Sequence, residues 1–139
     1  MRFHAFAARL IGAGIIGYTN QVVWMLRDAL EEDTSKKAPG ALDRDLTTAA
    51  MYIEYAGPLL AEAIIRTPDP SLSKEDERLL RAGALYSGKA GLQSDRWLFW
   101  LNRFREEADR ATGHDAKSLA LRSSRLMQIW VERRLHPTG

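Results

Sequence analysis

Residues 94–111 read SDRWLFWLNRFREEADRA, and this stretch decides the fold. Its large apolar positions, Trp97, Trp100, Leu101, Phe104, Ala108 and Ala111, recur at intervals of three and four, the period of one helix face. Ser94 or Asp95 is the expected N-cap, because a short side-chain oxygen accepts from the free N–H groups of a first turn. Gly113 stands where a left-handed residue would close the helix. Three pairs of opposite charge four apart, Arg103–Glu107, Arg105–Asp109 and Glu106–Arg110, are each worth about 0.3 kcal/mol on a solvated face. The stretch is an amphipathic helix with an aromatic seam. Leu98 and Phe99 fall off that seam and give the helix a second apolar side.

Outward from it, Thr112 to Asp115 is a short link into a last helix with Leu119, Leu126, Ile129 and Trp130 on one face and Ser123 as a small contact. That helix frays at His136-Pro137. On the other side GALYSGKAGLQ, Gly83 to Gln93, is the loop richest in glycine. Its Ser87-Gly88-Lys89-Ala90-Gly91 resembles a phosphate-binding loop but lacks the Walker spacing and the Lys-Ser/Thr pair, so a plain turn is the better reading. Ser73-Lys74-Glu75-Asp76 starts a short helix through Leu79, Leu80 and Ala82, with acids where the helix dipole favours them. From Leu42 to Thr67, Leu46, Ala50, Ile53, Gly57, Leu60 and Ile64 form another stripe, which Pro58 should kink or divide near Ala56-Gly57. Residues 34–41 are a polar connector holding the turn signal Pro39-Gly40.

The first stripe is Ala7, Ile11, Ile15, Tyr18, Val22, Met25 and Ala29, ending at the acidic Glu31, Glu32 and Asp33. Inside it Gly12 to Gly17 matches the dinucleotide fingerprint G-x-G-x-x-G letter for letter. That fingerprint has meaning only between a strand and a helix. The preceding HAFAAR holds no β-branched residue, and no second strand follows. Close helix packing, or a break in the helix at these glycines, is therefore the preferred reading. The expected architecture is all-α: one domain over residues 1–139, five to six helices in an irregular bundle.

Composition narrows the function by exclusion. The 139 residues are 45% hydrophobic and 27% charged, ordinary for a globular domain. There is no cysteine, so no disulfide framework or thiolate metal site exists, which fits a cytoplasmic protein. The net charge of +2 implies no partner. Lys117, Arg122, Arg125, Arg133 and Arg134 outnumber Asp115 and Glu132 in the last helix, but a solvated face explains them better than nucleic acid. The uninterrupted apolar run Leu10 to Tyr18 is far below the ~20 residues of a membrane span. The three histidines, His4, His114 and His136, share no ligand spacing, so neither a metal nor another cofactor is expected.

Carboxylate and phenol chemistry remain. Glu54 edges the stripe of the second long helix beside Tyr55, with Glu62 two turns on. Pressed against Trp97 or Trp100, a carboxylate would have a raised pKa and could move protons. The plainer alternative pairs these acids with arginines such as Arg66 or Arg103.

The order Gly83-x-Leu85-Tyr86-x-Gly88-Lys89-x-Gly91, followed by Arg96-Trp97-x-x-Trp100-x-x-Arg103-Phe104, resembles a large fungal family catalogued as a domain of unknown function. The likeness spans about Tyr52 to Glu107. It implies an all-helical fold and carries no residue roles; it directs attention to Tyr86, Lys89, Arg96 and Arg103. Two functions are open at this point. One is a non-catalytic helical interaction module, self-associating through spare apolar residues. The other is a cofactor-independent isomerase or cyclase. Its apolar small molecule would lie against Trp97 and Trp100, with Glu54 or Tyr86 moving the proton and Lys89, Arg96 and Arg103 holding a polar end. The second requires a cavity of a few hundred Å³ containing a carboxylate.

Overall fold

The computed structural model describes residues 19–66 and 71–135. They form five helices and no strand: α1 (Thr19–Leu30), α2 (Pro39–Arg66), α3 (Lys74–Leu79), α4 (Ser94–Arg110) and α5 (His114–Leu135). The fold class is all-α. The glycines Gly12 to Gly17, and with them the expected break in the first helix, lie outside the described residues.

The axis of the molecule is α2, 28 residues long and therefore about 42 Å at 1.5 Å per residue. Its start meets the end of α4, where Asp43 accepts from the Thr112 and Gly113 N–H groups at 3.0 and 2.8 Å. Its end meets the start of α4, where Ile64 and Ile65 lie by Ser94 and Leu98. The two helices are thus antiparallel. Helix α1 packs on both of them, and α5 does the same from elsewhere on the pair. The core at their junction holds Trp97, Trp100, Tyr52, Phe104, Leu26, Leu30, Leu46, Ile53, Leu60 and Met127, all nearly inaccessible to solvent. At about 25 cal/mol per Å² of apolar surface removed from water, the large aromatics dominate that core. The Trp97 indole also donates to the Met127 carbonyl at 3.1 Å and ties α4 to α5.

Several local expectations change. Helix α2 begins at Pro39, whose missing N–H costs nothing in a first turn. It runs undivided through Pro58. Pro58 is exposed, so water can take the carbonyl it orphans, while Ile53, Ala56, Gly57, Leu60 and Ala61 hold both halves to one core. Gly57 is needed for a different reason: a side chain there would run into the Trp130 ring of α5. Ser73 caps α3 as expected, accepting from the Asp76 N–H at 3.1 Å, but α3 stops at Leu79, short of Ala82.

Helix α4 has Gln93 in the N-cap position expected for Ser94 or Asp95; its side chain makes no capping bond and donates back to the Lys89 and Ala90 carbonyls. It closes at Ala111 in extended backbone, with no need of a glycine. Gly113 serves α5 instead, through its bond to Asp43. Of the three expected charge pairs, Arg103–Glu107 forms. Arg105 turns to Gln128 of α5, and Arg110 to Thr34 and to Glu107 one turn back on α4.

Candidate functional site

Beside its aromatic seam, α4 also carries charge into the interior. Arg96 and Glu31 are both 0% exposed and form a forked ion pair, Nε to Oε2 at 2.7 Å and Nη2 to Oε1 at 3.0 Å. Nη1 donates to the carbonyls of Leu80 (2.6 Å) and Gly91 (3.0 Å), and Nη2 also to that of Arg81 (2.8 Å). Every N–H of the guanidinium is therefore used. Glu31 is equally saturated: Oε1 also accepts from the Gly83 N–H at 2.7 Å, and Oε2 from the Trp100 indole at 2.6 Å. A buried ion pair is tolerable only when its remaining donors and acceptors are satisfied in this way.

The glycine loop is the cradle of that pair. Gly91 has a φ of 93°, the left-handed region, and a side chain there would also press on Leu72. At Gly83 a Cβ would come within 2.6 Å of the Glu31 Cβ. At Gly88 it would collide with the Tyr86 hydroxyl. The loop therefore closes over Arg96 because three positions lack side chains. Tyr86 sits inside it, its ring 5.0 Å from Phe99 and 5.7 Å from the Arg96 guanidinium carbon. Its buried hydroxyl has no hydrogen-bond partner. Burial, with the Asp95 charge adding to it, pushes the phenol above its usual pKa. Lys89, by contrast, is exposed on the outside of the loop.

A second buried acid lies three turns along α4. Glu107, also 0% exposed, receives the Thr34 hydroxyl at 2.9 and 3.0 Å and the Arg103 guanidinium, with Arg110 at 3.5 Å. Arg103 further donates to the Leu30 carbonyl at 2.9 Å. Both nodes thus fasten α4 to the end of α1 and the residues after it. Sequence reasoning missed Glu31, Thr34 and Glu107. Glu31 looks like its neighbours Glu32 and Asp33, and the one available hint was a glycine loop placed just ahead of an arginine.

Of the residues expected to form a site, Arg96 and Trp100 come together on Glu31, with Tyr86 against Arg96. Trp97 lies in the core toward α5, and Arg103 at the second node. Glu54 stands at the surface, forked onto Arg122 of α5 at 3.0 Å through each oxygen. That bond raises the Arg122 pKa. Glu54 and Tyr86 are held by different parts of the fold.

The cavity that reaches Trp97 has a volume of about 50 Å³, and its lining of Ala61, Ile64, Ile65, Trp97, Leu98 and Val131, with Ser94, contains no carboxylate. It opens beside Leu98, 46% exposed, and Ile65, 38% exposed. Leu98 and Val131 also border a shallow groove between α4 and α5 that continues past Leu101 to Arg105, Gln128 and Glu132. Among the described residues no cluster of acids and histidines could hold a metal, and no helix is long and apolar enough to cross a membrane.

Neither the curated proteins nor the solved structures contain a match to the chain. The loop, Glu31, Arg96 and Trp100 all fall within residues 1–104, over which a family profile does match, and the chain belongs to that family, the DUF3632 proteins of unknown function.

Proposed function

We propose that the protein is a non-catalytic helical interaction module that docks an apolar surface on the groove at the α2, α4 and α5 junction. One observation carries this reading. Leu98, at 46% exposure, stands between an apolar hollow floored by Trp97 and the α4–α5 groove, on a helix whose other side is already buried. A helix apolar on two sides is at an interface when its second side is not in the core. The interior arginines support it from the other direction, since their donors are spent on the fold.

The alternative of a cofactor-independent isomerase or cyclase has weaker support. It asks for a carboxylate in an apolar cavity, and Glu54 is engaged by Arg122 at the surface. The cysteine-free composition keeps a cytoplasmic location as part of this proposal.

The groove is tested with 8-anilinonaphthalene-1-sulfonate, a dye that fluoresces on apolar surfaces. Wild-type protein should enhance its emission at neutral pH, and Leu98→Asp should remove most of the enhancement without lowering the melting temperature. Equal emission from both proteins would refute the groove as the docking surface.

A further inference from the structure

The polar border of the groove says what would cover it. Arg105 projects from α4 and Glu132 from α5, and Gln128 bridges them, accepting from Arg105 and donating to Glu132 at 3.0 Å. The border therefore carries one cation, two neutral amides (Asn102 and Gln128) and one anion, with the two charges on opposite helices. Leu98 and Val131 face each other across the same groove. Helices α4 and α5 are joined by a three-residue link, Ala111 to Gly113, and pack side by side along their length.

Such a surface is complementary to itself. A two-fold axis laid along the groove, parallel to both helices, sets each α4 against α5 of another copy. Arg105 then meets Glu132 of the partner subunit on both sides of the axis, and the apolar Leu98 meets Val131 of the partner subunit.

We propose that the occupant of the groove is a second copy of this chain, in a two-fold dimer that pairs Arg105 with Glu132 of the partner subunit, twice. The proposal rests on the groove being a docking surface, as argued above, and adds the identity of the partner. The pairs set register and orientation, while Leu98, Val131 and the rim of the Trp97 hollow supply the apolar contact.

Sedimentation velocity on the full chain across micromolar concentrations tests it. Wild type should show a concentration-dependent dimer, and Leu98→Asp should remain monomeric at every concentration. Arg105→Glu and Glu132→Arg should each weaken homodimerisation by about tenfold or more, since each places like charges at both contacts. Mixed in equal amounts, the two variants should recover association to within about threefold of wild type, because every contact is again a pair of opposite sign.

That recovery is specific to this geometry. Dimerisation that persists unchanged in all three variants would overturn the proposal. So would single variants that weaken the dimer with no recovery on mixing. A strictly monomeric wild type whose dye emission is lost in Leu98→Asp would also overturn the second copy, yet leave the groove standing. A monomer with no such dye response would remove both.

Discussion

The described residues contain the same chemical object twice: a carboxylate forked onto a guanidinium, Glu31 with Arg96 and Glu54 with Arg122. The first is wholly dry. The second lies at the surface, its side chains 36% and 55% exposed. Inside, each ion has lost its hydration, so the remaining lone pairs and N–H groups had to be met by the Leu80, Arg81 and Gly91 carbonyls, the Gly83 N–H and the Trp100 indole. Outside, water does that work and the fork stands alone. The geometry of an ion pair therefore says little about its importance; what surrounds it decides whether removing one partner is catastrophic or trivial.

The harshest way to break the comparison is Arg96→Met. Leaving Glu31 buried without its counter-ion should cost about 3–5 kcal/mol, measured by urea denaturation. Glu31→Leu combined with Arg96→Met should regain part of that and no more, since three loop carbonyls still lose their donor. A double variant no better than the single one would assign the cost to the carbonyls, not to the stranded charge. Trp100→Phe comes next. It retains most of the ring volume but removes the indole donor to Glu31, for an expected loss of about 1.5–3 kcal/mol, the range for a hydrogen bond to a charged group.

Tyr86→Phe should have the opposite sign. It deletes a buried hydroxyl that has no partner and should stabilise the protein by about 1 kcal/mol. The same residue gives an alkaline signature. Its phenol titrates above its usual value in the folded protein, so the unfolded chain ionises first and stability falls as pH rises past about 10. Denaturation midpoints should decline less steeply there in Tyr86→Phe than in wild type. The gentlest test is Glu54→Gln, which should leave the melting temperature essentially where it was. A large drop would mean that the exposed fork carries weight the comparison denies it.

The sequence makes some of this legible and hides the rest for physical reasons. The buried face of α4 is local information, because a 3.6-residue period reports which side of a helix meets the core. Its charged interior is not. Arg96 stands out through the glycine pattern, and the natural inference from an arginine beside such a loop is a ligand; the loop binds the arginine itself. Glu31 sits 65 positions from its partner, and nothing in Glu31-Glu32-Asp33 separates the buried acid from its neighbours. Glu54 stands out in the sequence because it borders an apolar stripe. That is equally the place for a surface residue that reaches across to a parallel helix. Gln93 and Ala111 as the ends of α4 are unreadable because no capping side chain marks them: Gln93 makes no capping bond, and Ala111 closes the helix through its own N–H to the Glu107 carbonyl.

Asp43 ties the turn between α4 and α5 to the first turns of α2. It binds the N–H groups of Thr112 and Gly113 and the Thr112 hydroxyl. Burial works against its charge, but these bonds outweigh it and hold the carboxyl below its ordinary pKa. The turn that enters α5 is thus held from the first turns of α2, seventy positions earlier. One carboxylate therefore fixes the hinge between α4 and α5 to a third helix, and with it the way those two helices frame the groove on which the proposed partner lands.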